Sequence, residues 1–168
     1  MNISRYLDTN LIKLEMAYEM EPPLDEESGY SRKEILDIKE AIISELVDIL
    51  DKSGNVSNKS KLNIDLFNRE KKASTAIGNG IAVPHIRSKQ ARDFTIAVAR
   101  GISGYEFDAP DNEPVKLFFC MAAPPYDDNL YLKVFKSLAE RFEYPGFIDR
   151  LLEADDEHMI IRAFKEFE

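Results

Sequence analysis

The sequence predicts an α/β protein, a single-domain layered fold in which a mixed β-sheet is flanked by helices. Three observations predict it. Apolar residues recur at helical spacing over residues 35–50, two short runs at 94–100 and 115–121 are rich in β-branched and aromatic residues, and helical patterns return after residue 129. With 168 residues and 44% hydrophobic content, the chain is long enough for one well-filled core and too short for two typical domains. We therefore read residues 1–168 as one domain without internal repeats.

The first helix follows from Ile35, Ile38, Ile42, Leu46, Ile49 and Leu50, whose three- and four-residue spacing makes one apolar stripe of four to five turns. The stop is at 51–55, where Gly54 is free to take the left-handed conformation that closes helices. A second helical pattern over 58–72 puts Leu62, Leu66 and Arg69 on a shared face and carries Arg69 to the helix end, aimed at the loop that follows. The runs 94–100 and 115–121 read as strands. The near-continuous apolar character of 117–123 suits a strand covered on both faces. Between them, 101–112 reads as a turn-rich connection. Two helices close the chain, over 129–142 and 144–167, the latter broken near Ala154-Asp155-Asp156.

The stretch Ala73-Ser74-Thr75-Ala76-Ile77-Gly78-Asn79-Gly80-Ile81-Ala82-Val83-Pro84-His85, with Arg69 upstream, carries the chemistry. A neutral imidazole near its ordinary pKa of about 6.5 is a nucleophile at neutral pH. A transferring phosphoryl group keeps charge on its equatorial oxygens, so the protein's task is positioning and charge stabilisation. Arginine's planar fork can hold two such oxygens, glycines let backbone N–H groups approach an anion, and hydroxyls add donors. Singly these parts are ordinary: a Gly-x-Gly is usually a tight turn, and Ser74 and Thr75 can simply staple one.

In order, Arg-Glu, Ser-Thr and Ile-Gly-Asn-Gly-Ile-Ala-Val-Pro-His resemble the active-site signature of the enzyme IIA domains of the fructose–mannitol class of the bacterial phosphoenolpyruvate-dependent sugar phosphotransferase system. That class includes the nitrogen-regulatory enzyme IIA proteins. The match falls on Arg69, Ser74, Thr75, Gly78, Gly80, Pro84 and His85. Supporting resemblance runs through residues 10–14 as an opening strand, 39–50 as first helix, 113–124 as central strand and loop, and Leu132, Phe135, Leu138 and Ala139 as apolar positions of the next helix. The resemblance implies a phosphocarrier: His85 takes a phosphoryl group from the histidine-containing phosphocarrier protein, then passes it to an enzyme IIB or uses it as a regulatory switch. Arg69 is implied as the phosphate-binding arginine, with Ser74, Thr75, Gly78 and Gly80 around the phosphoryl group. No cofactor is implied, because the donor is itself a phosphohistidine, and no Walker-type loop or metal-spaced His/Cys cluster is present.

The chief departure is Tyr131. In this class a second histidine commonly precedes the Leu-x-x-Leu run of the helix after the Ala-Ala-Pro loop, and aligning Leu132 and Phe135 with that run leaves Tyr131, with Asn129 as the alternative, in its place. A phenol can donate a hydrogen bond to a phosphoryl oxygen, yet its pKa near 10 makes it a poor proton shuttle. Tyr131 is thus expected to face His85, with acceptance retained and onward transfer slowed. His158 sits in an acidic stretch of the last helix and reads as a solvated surface residue. The acidic, Pro-containing segment 20–30 stands where the family runs almost directly from strand to helix; it reads as a solvated loop, or a partner-specific addition.

Net charge −9, from 31 acidic against 22 basic side chains, argues against a nucleic-acid or anionic-membrane surface. No apolar run approaches the ~20 residues of a membrane-spanning helix, and no signal peptide is visible, so a cytoplasmic location is expected. The single cysteine, Cys120, reads as a buried strand residue in a reducing compartment. Two rival functions fit the same residues: a protein-binding regulator with vestigial phosphorylation, and a small enzyme using the anion site on a phosphorylated metabolite.

Overall fold

The computed structural model describes residues 1–127 and 129–168. After two 3-10 turns, Ile3–Tyr6 and Thr9–Leu11, the elements are β1 (Ile12–Lys13), α1 (Arg32–Asp51), α2 (Lys59–Lys72), β2 (Ala76–Gly78), β3 (Ile81–Ala82), β4 (His85–Arg87), β5 (Thr95–Tyr105), β6 (Val115–Ala123), α3 (Leu130–Phe142), α4 (Pro145–Glu153) and α5 (Glu157–Glu166). The sheet runs β1-β5-β6-β3-β2, with β4 also on β6. It is mixed, as expected: β5 is antiparallel to β6, whereas β1 is parallel to β5, and β3 and β4 are parallel to β6.

Apolar residues lie on both sheet faces because helices cover both. Phe118, Cys120 and Ala122 of β6 join Ala97 and Ala99 of β5 under Ile42, Ile43 and Leu46 of α1. Leu117, Phe119, Met121 and Ala123 face Val134 and Leu138 of α3, Phe147 of α4 and Phe164 of α5. Small side chains on the first face let the bulky residues of α1 seat closely. On β6 the alternation of strand side chains is therefore invisible as a polarity pattern, since every residue but Lys116 is buried.

α1 begins with a capping box: Ser31 Oγ accepts the Glu34 N–H, and Glu34 accepts the Ser31 N–H. Beyond its end, Gly54 takes φ +78°. Asn58 caps α2, and the break expected near residues 154–156 separates α4 from α5, where Asp156 caps the latter.

Three expectations need correction. β5 continues through Tyr105, so 101–105 is strand and only the remainder connects; the ladder slips between Arg100 and Tyr105, and Gly101 and Gly104 are there because a Cβ would meet the Tyr105 ring at 2.4 Å and Pro114 at 2.7 Å. Those glycines mark a bulge, which has the same composition as a turn. On α3, Leu132 is 57% exposed and Ala139 also faces solvent; the buried positions are Val134, Ser137, Leu138 and Arg141. The opening strand shrinks to β1, two residues held by Val98 and Ala99.

The segment 20–30 is largely solvent-exposed in its middle but closed on itself. Asp25 accepts the Glu27 and Ser28 N–H groups and the Ser28 hydroxyl, and its carbonyl accepts the Gly29 N–H. Its ends are tied down, with Met20 and Tyr30 packed on the α1 side of the core.

Candidate functional site

The site forms where the 81–87 segment runs along β6. The register is constant from Ile81 opposite Leu117 to His85 opposite Met121, although Pro84 interrupts the ladder by lacking an N–H. Pro84 still accepts the Met121 N–H through its carbonyl at 2.9 Å. His85 thus shares the sheet face that packs against α3. Its ring lies 5.6 Å from Tyr131 and 5.2 Å from Phe135, the latter edge to face.

His85 Nδ1 is 2.6 Å from the Val83 carbonyl oxygen. A carbonyl can only accept, so the neutral ring holds its proton on Nδ1 and its lone pair on Nε2. Burial holds the His85 pKa below the ordinary value of 6.5; the Val83 bond opposes this, the Arg69 cation adds to it, and Glu70 opposes it. The ring is therefore neutral, and nucleophilic at Nε2, at neutral pH.

Arg69 occupies the last turn of α2 as expected, and its Nη1 donates to the Ala73 carbonyl at 2.9 Å. The next residue, Glu70, points the other way into the core. Its carboxylate accepts the Lys39 ammonium at 3.2 Å, the Thr75 N–H at 3.0 Å and the Thr75 hydroxyl at 2.6 Å. The Thr75 carbonyl accepts the Val83 N–H at 3.0 Å, which places this turn beside the residue that holds His85. Lys39 and Glu70 are both essentially inaccessible, and Lys39 also lies 5.0 Å over the Phe107 ring. Neither hydroxyl of the Ser-Thr pair has its proton free: Ser74 donates to the Phe107 carbonyl at 3.0 Å and Thr75 to Glu70.

Gly78 and Gly80 are not brought to His85. They form the β2–β3 turn with φ of +95° and +79°, flanking Asn79 at +57°, and the Asn79 N–H donates to Asp111. Gly80 lies at the start of β6, where its carbonyl accepts from Lys116 and Leu117. Five residues of extended chain to His85 make about 16 Å. Their positive φ explains their place in the sequence without an anion cradle.

Tyr131 stands beside His85 with its phenol pKa raised by burial, against the opposing cations Arg69 and Arg87. His158 is exposed on α5. Cys120 is wholly buried, which pushes its thiol far above the ordinary range. Two residues at the site were not among those expected there: Arg87, and Phe135, which was expected only as an apolar position of the helix. Arg87 follows His85 by two, so strand alternation puts both on one face, and Phe135 follows Tyr131 by four, one helical turn. The Arg87 guanidinium lies 5.0 Å over the Tyr131 ring. Arg87, Arg69 and Lys72 line one groove of about 290 Å³ between α2 and β4.

Among the described residues no cluster of His, Cys, Asp and Glu is arranged to hold a metal, and no helix is long and apolar enough to cross a membrane.

Related sequences and the same fold occur in known proteins. A fructose-specific EIIA component of the phosphotransferase system from Haloferax volcanii is 30% identical over 122 residues, 73% of this chain and 79% of its own. The fructose-specific EIIABC component of Bacillus subtilis is 33% identical over 123 residues, which is 73% of this chain and only 19% of that longer protein. The crystal structure of the nitrogen regulatory protein IIA-Ntr from Neisseria meningitidis superposes with a TM-score of 0.79 at 25% identity, covering 96% of this chain and 98% of that one. The family model described as "Phosphoenolpyruvate-dependent sugar phosphotransferase system, EIIA 2" matches residues 26–167, and the chain belongs to that family.

Proposed function

We propose that this protein is a phosphocarrier whose His85 Nε2 accepts a phosphoryl group from the histidine-containing phosphocarrier protein. The observation that carries the proposal is the 2.6 Å contact between His85 Nδ1 and the Val83 carbonyl, which fixes the tautomer with Nε2 as nucleophile. In the transfer the Nε2 lone pair forms the new N–P bond while the N–P bond to the donor imidazole breaks, its electron pair returning to the donor nitrogen. The His85 proton stays on Nδ1 toward Val83. The ring becomes cationic as it is phosphorylated, and Glu70, which already favours the charged ring, offsets part of that cost. Arg69 supplies the guanidinium for the phosphoryl oxygens. Ser74 or Thr75 would join it only by exchanging its present acceptor.

The onward partner we infer is an enzyme IIB or a regulatory protein, because the relatives bear both fructose-specific and nitrogen-regulatory names. Tyr131 favours a second reading, a regulator that binds its partners irrespective of phosphorylation: burial raises its phenol pKa, so it is a poor proton carrier near neutral pH. One experiment separates the two. The protein is incubated with enzyme I, the phosphocarrier protein and phosphoenolpyruvate, and its intact mass is recorded. One added phosphoryl group in the parent and none in a folded His85→Ala variant is the expected result. An unmodified parent, or a modified His85→Ala protein, overturns the assignment.

A further inference from the structure

Two arginines, rather than one, stand in the neighbourhood of His85. Arg69 comes from the end of α2, where its cation acts on the His85 ring, and Arg87 from the same strand as the histidine, its guanidinium 5.0 Å over the Tyr131 ring that itself lies 5.6 Å from His85; both arginines line the groove between α2 and β4. In a chain of net charge −9, neither forms an ion pair with a carboxylate among the described residues. Among the described residues the hydrogen bond of the Arg69 guanidinium goes to the neutral Ala73 carbonyl. Arg87 touches an aromatic face, the Tyr131 ring, at 5.0 Å. Asp65 also lines the groove, but its carboxylate accepts the Ser88 hydroxyl at 2.6 Å. The contacts Tyr131 makes with Arg87 and His85 are through its ring.

We propose that Arg87 is the second arm of a phosphoryl clamp at His85, and that Tyr131 is its positioning residue, holding the guanidinium over its ring face between the strand and α3. The inference rests on His85 as the phosphoryl acceptor. A cation stacked on a ring keeps its N–H fork available at the edge, because the face contact uses no donor. His85 and Arg87, two apart on β4, project from one face with Cα atoms about 7 Å apart, within reach of a tetrahedral group held between them. Where a second histidine is expected by resemblance, this chain therefore places a phenol that works through its ring and recruits a permanent cation.

The test uses the full chain with two phosphoryl donors, the phosphorylated phosphocarrier protein and the small molecule phosphoramidate, which needs no protein docking. Acceptance is followed by intact mass, and each variant's melting curve is recorded. Arg87→Ala is expected to slow acceptance from both donors by about tenfold or more, the scale of one charge-assisted fork. Arg87→Lys recovers part of the loss. Tyr131→Phe stays within about twofold of the parent, Tyr131→Leu falls to the Arg87→Ala level, and the Arg87→Ala/Tyr131→Leu double variant is no slower than either single one. Arg87 is exposed, so its removal leaves the melting curve unchanged.

An Arg87→Ala protein that matches the parent with phosphoramidate overturns the clamp, whether or not the protein donor is affected; a loss confined to the protein donor makes Arg87 a docking contact instead. A Tyr131→Phe loss equal to that of Tyr131→Leu overturns the ring's role and assigns it to the hydroxyl. If the parent takes no phosphoryl group from either donor, or His85→Ala takes one, the phosphocarrier assignment itself fails; with His85 labelled normally, only the clamp is at stake.

Discussion

Glu70→Gln is expected to be among the most damaging single substitutions near the site, although Glu70 touches no substrate in the proposed function. Glu70 and Lys39 are each about 1% exposed in their side chains and 3.2 Å apart, so neither charge is hydrated. Glutamine keeps one oxygen and replaces the other with an NH₂, which cannot accept the Thr75 N–H and hydroxyl together with Lys39. The larger loss is that Lys39 stays charged with only Asp108 at 3.7 Å and the Phe107 ring at 5.0 Å for company. Breaking a buried pair from one side costs about 3–5 kcal/mol, and the partial cover from Asp108 points to the lower end, about 3 kcal/mol. For a domain of this length, that corresponds to a fall in Tm of about 6–12 °C.

Urea unfolding of the parent, Glu70→Gln, Lys39→Met and the double variant measures this directly. Each single variant should lose about 3 kcal/mol, and the double should lose clearly less than their sum, since it removes both charges and leaves none stranded. A Glu70→Gln loss under about 1 kcal/mol, or strict additivity in the double variant, would refute the argument that this pair is desolvated and coupled.

The His85 pKa, lowered by burial, makes two checkable statements. The acid limb of the acceptance rate lies below pH 6.5, and Arg69→Ala moves it upward because the Arg69 cation disfavours the protonated ring. The stability sign is the same: as pH falls below about 6.5 the unfolded chain takes up its proton first, so His85's contribution is present above that value and lost as pH falls, which urea titrations at pH 5 and 7.5 on parent and His85→Ala resolve. Gly78→Ala should cost about 1–2 kcal/mol, since φ is +95° and the new Cβ sits 3.3 Å from the Asp111 carboxylate, yet leave phosphoryl acceptance within about twofold. A tenfold loss of acceptance with an unchanged melting temperature would bring the glycine turn back into the site.

The helices and the two long strands were legible because their patterns are local: the α1 stripe, the Gly54 stop and the apolar run of β6 each declare themselves within a few residues. Glycines were ambiguous, because Gly78 and Gly80 serve a hairpin turn and Gly101 and Gly104 a bulge, and composition alone cannot separate either from an anion loop or a connection. Arg87 was hidden by its ordinariness, an exposed cation on a short strand; only its phase relative to His85 and the Tyr131 ring above it give it meaning. The least legible feature was the division of labour among acids. In the sequence Glu70 stands beside Arg69, and Glu70 or Glu45 could pair with it as with an ordinary helix-surface arginine. In the fold, Glu70 turns inward to Lys39 and Thr75, while Glu45 binds Lys13 and accepts the Ala17 and Tyr18 N–H groups. The carboxylates that could have neutralised Arg69 are spent holding the frame, and that is what leaves a guanidinium beside His85 with its charge available to an anion.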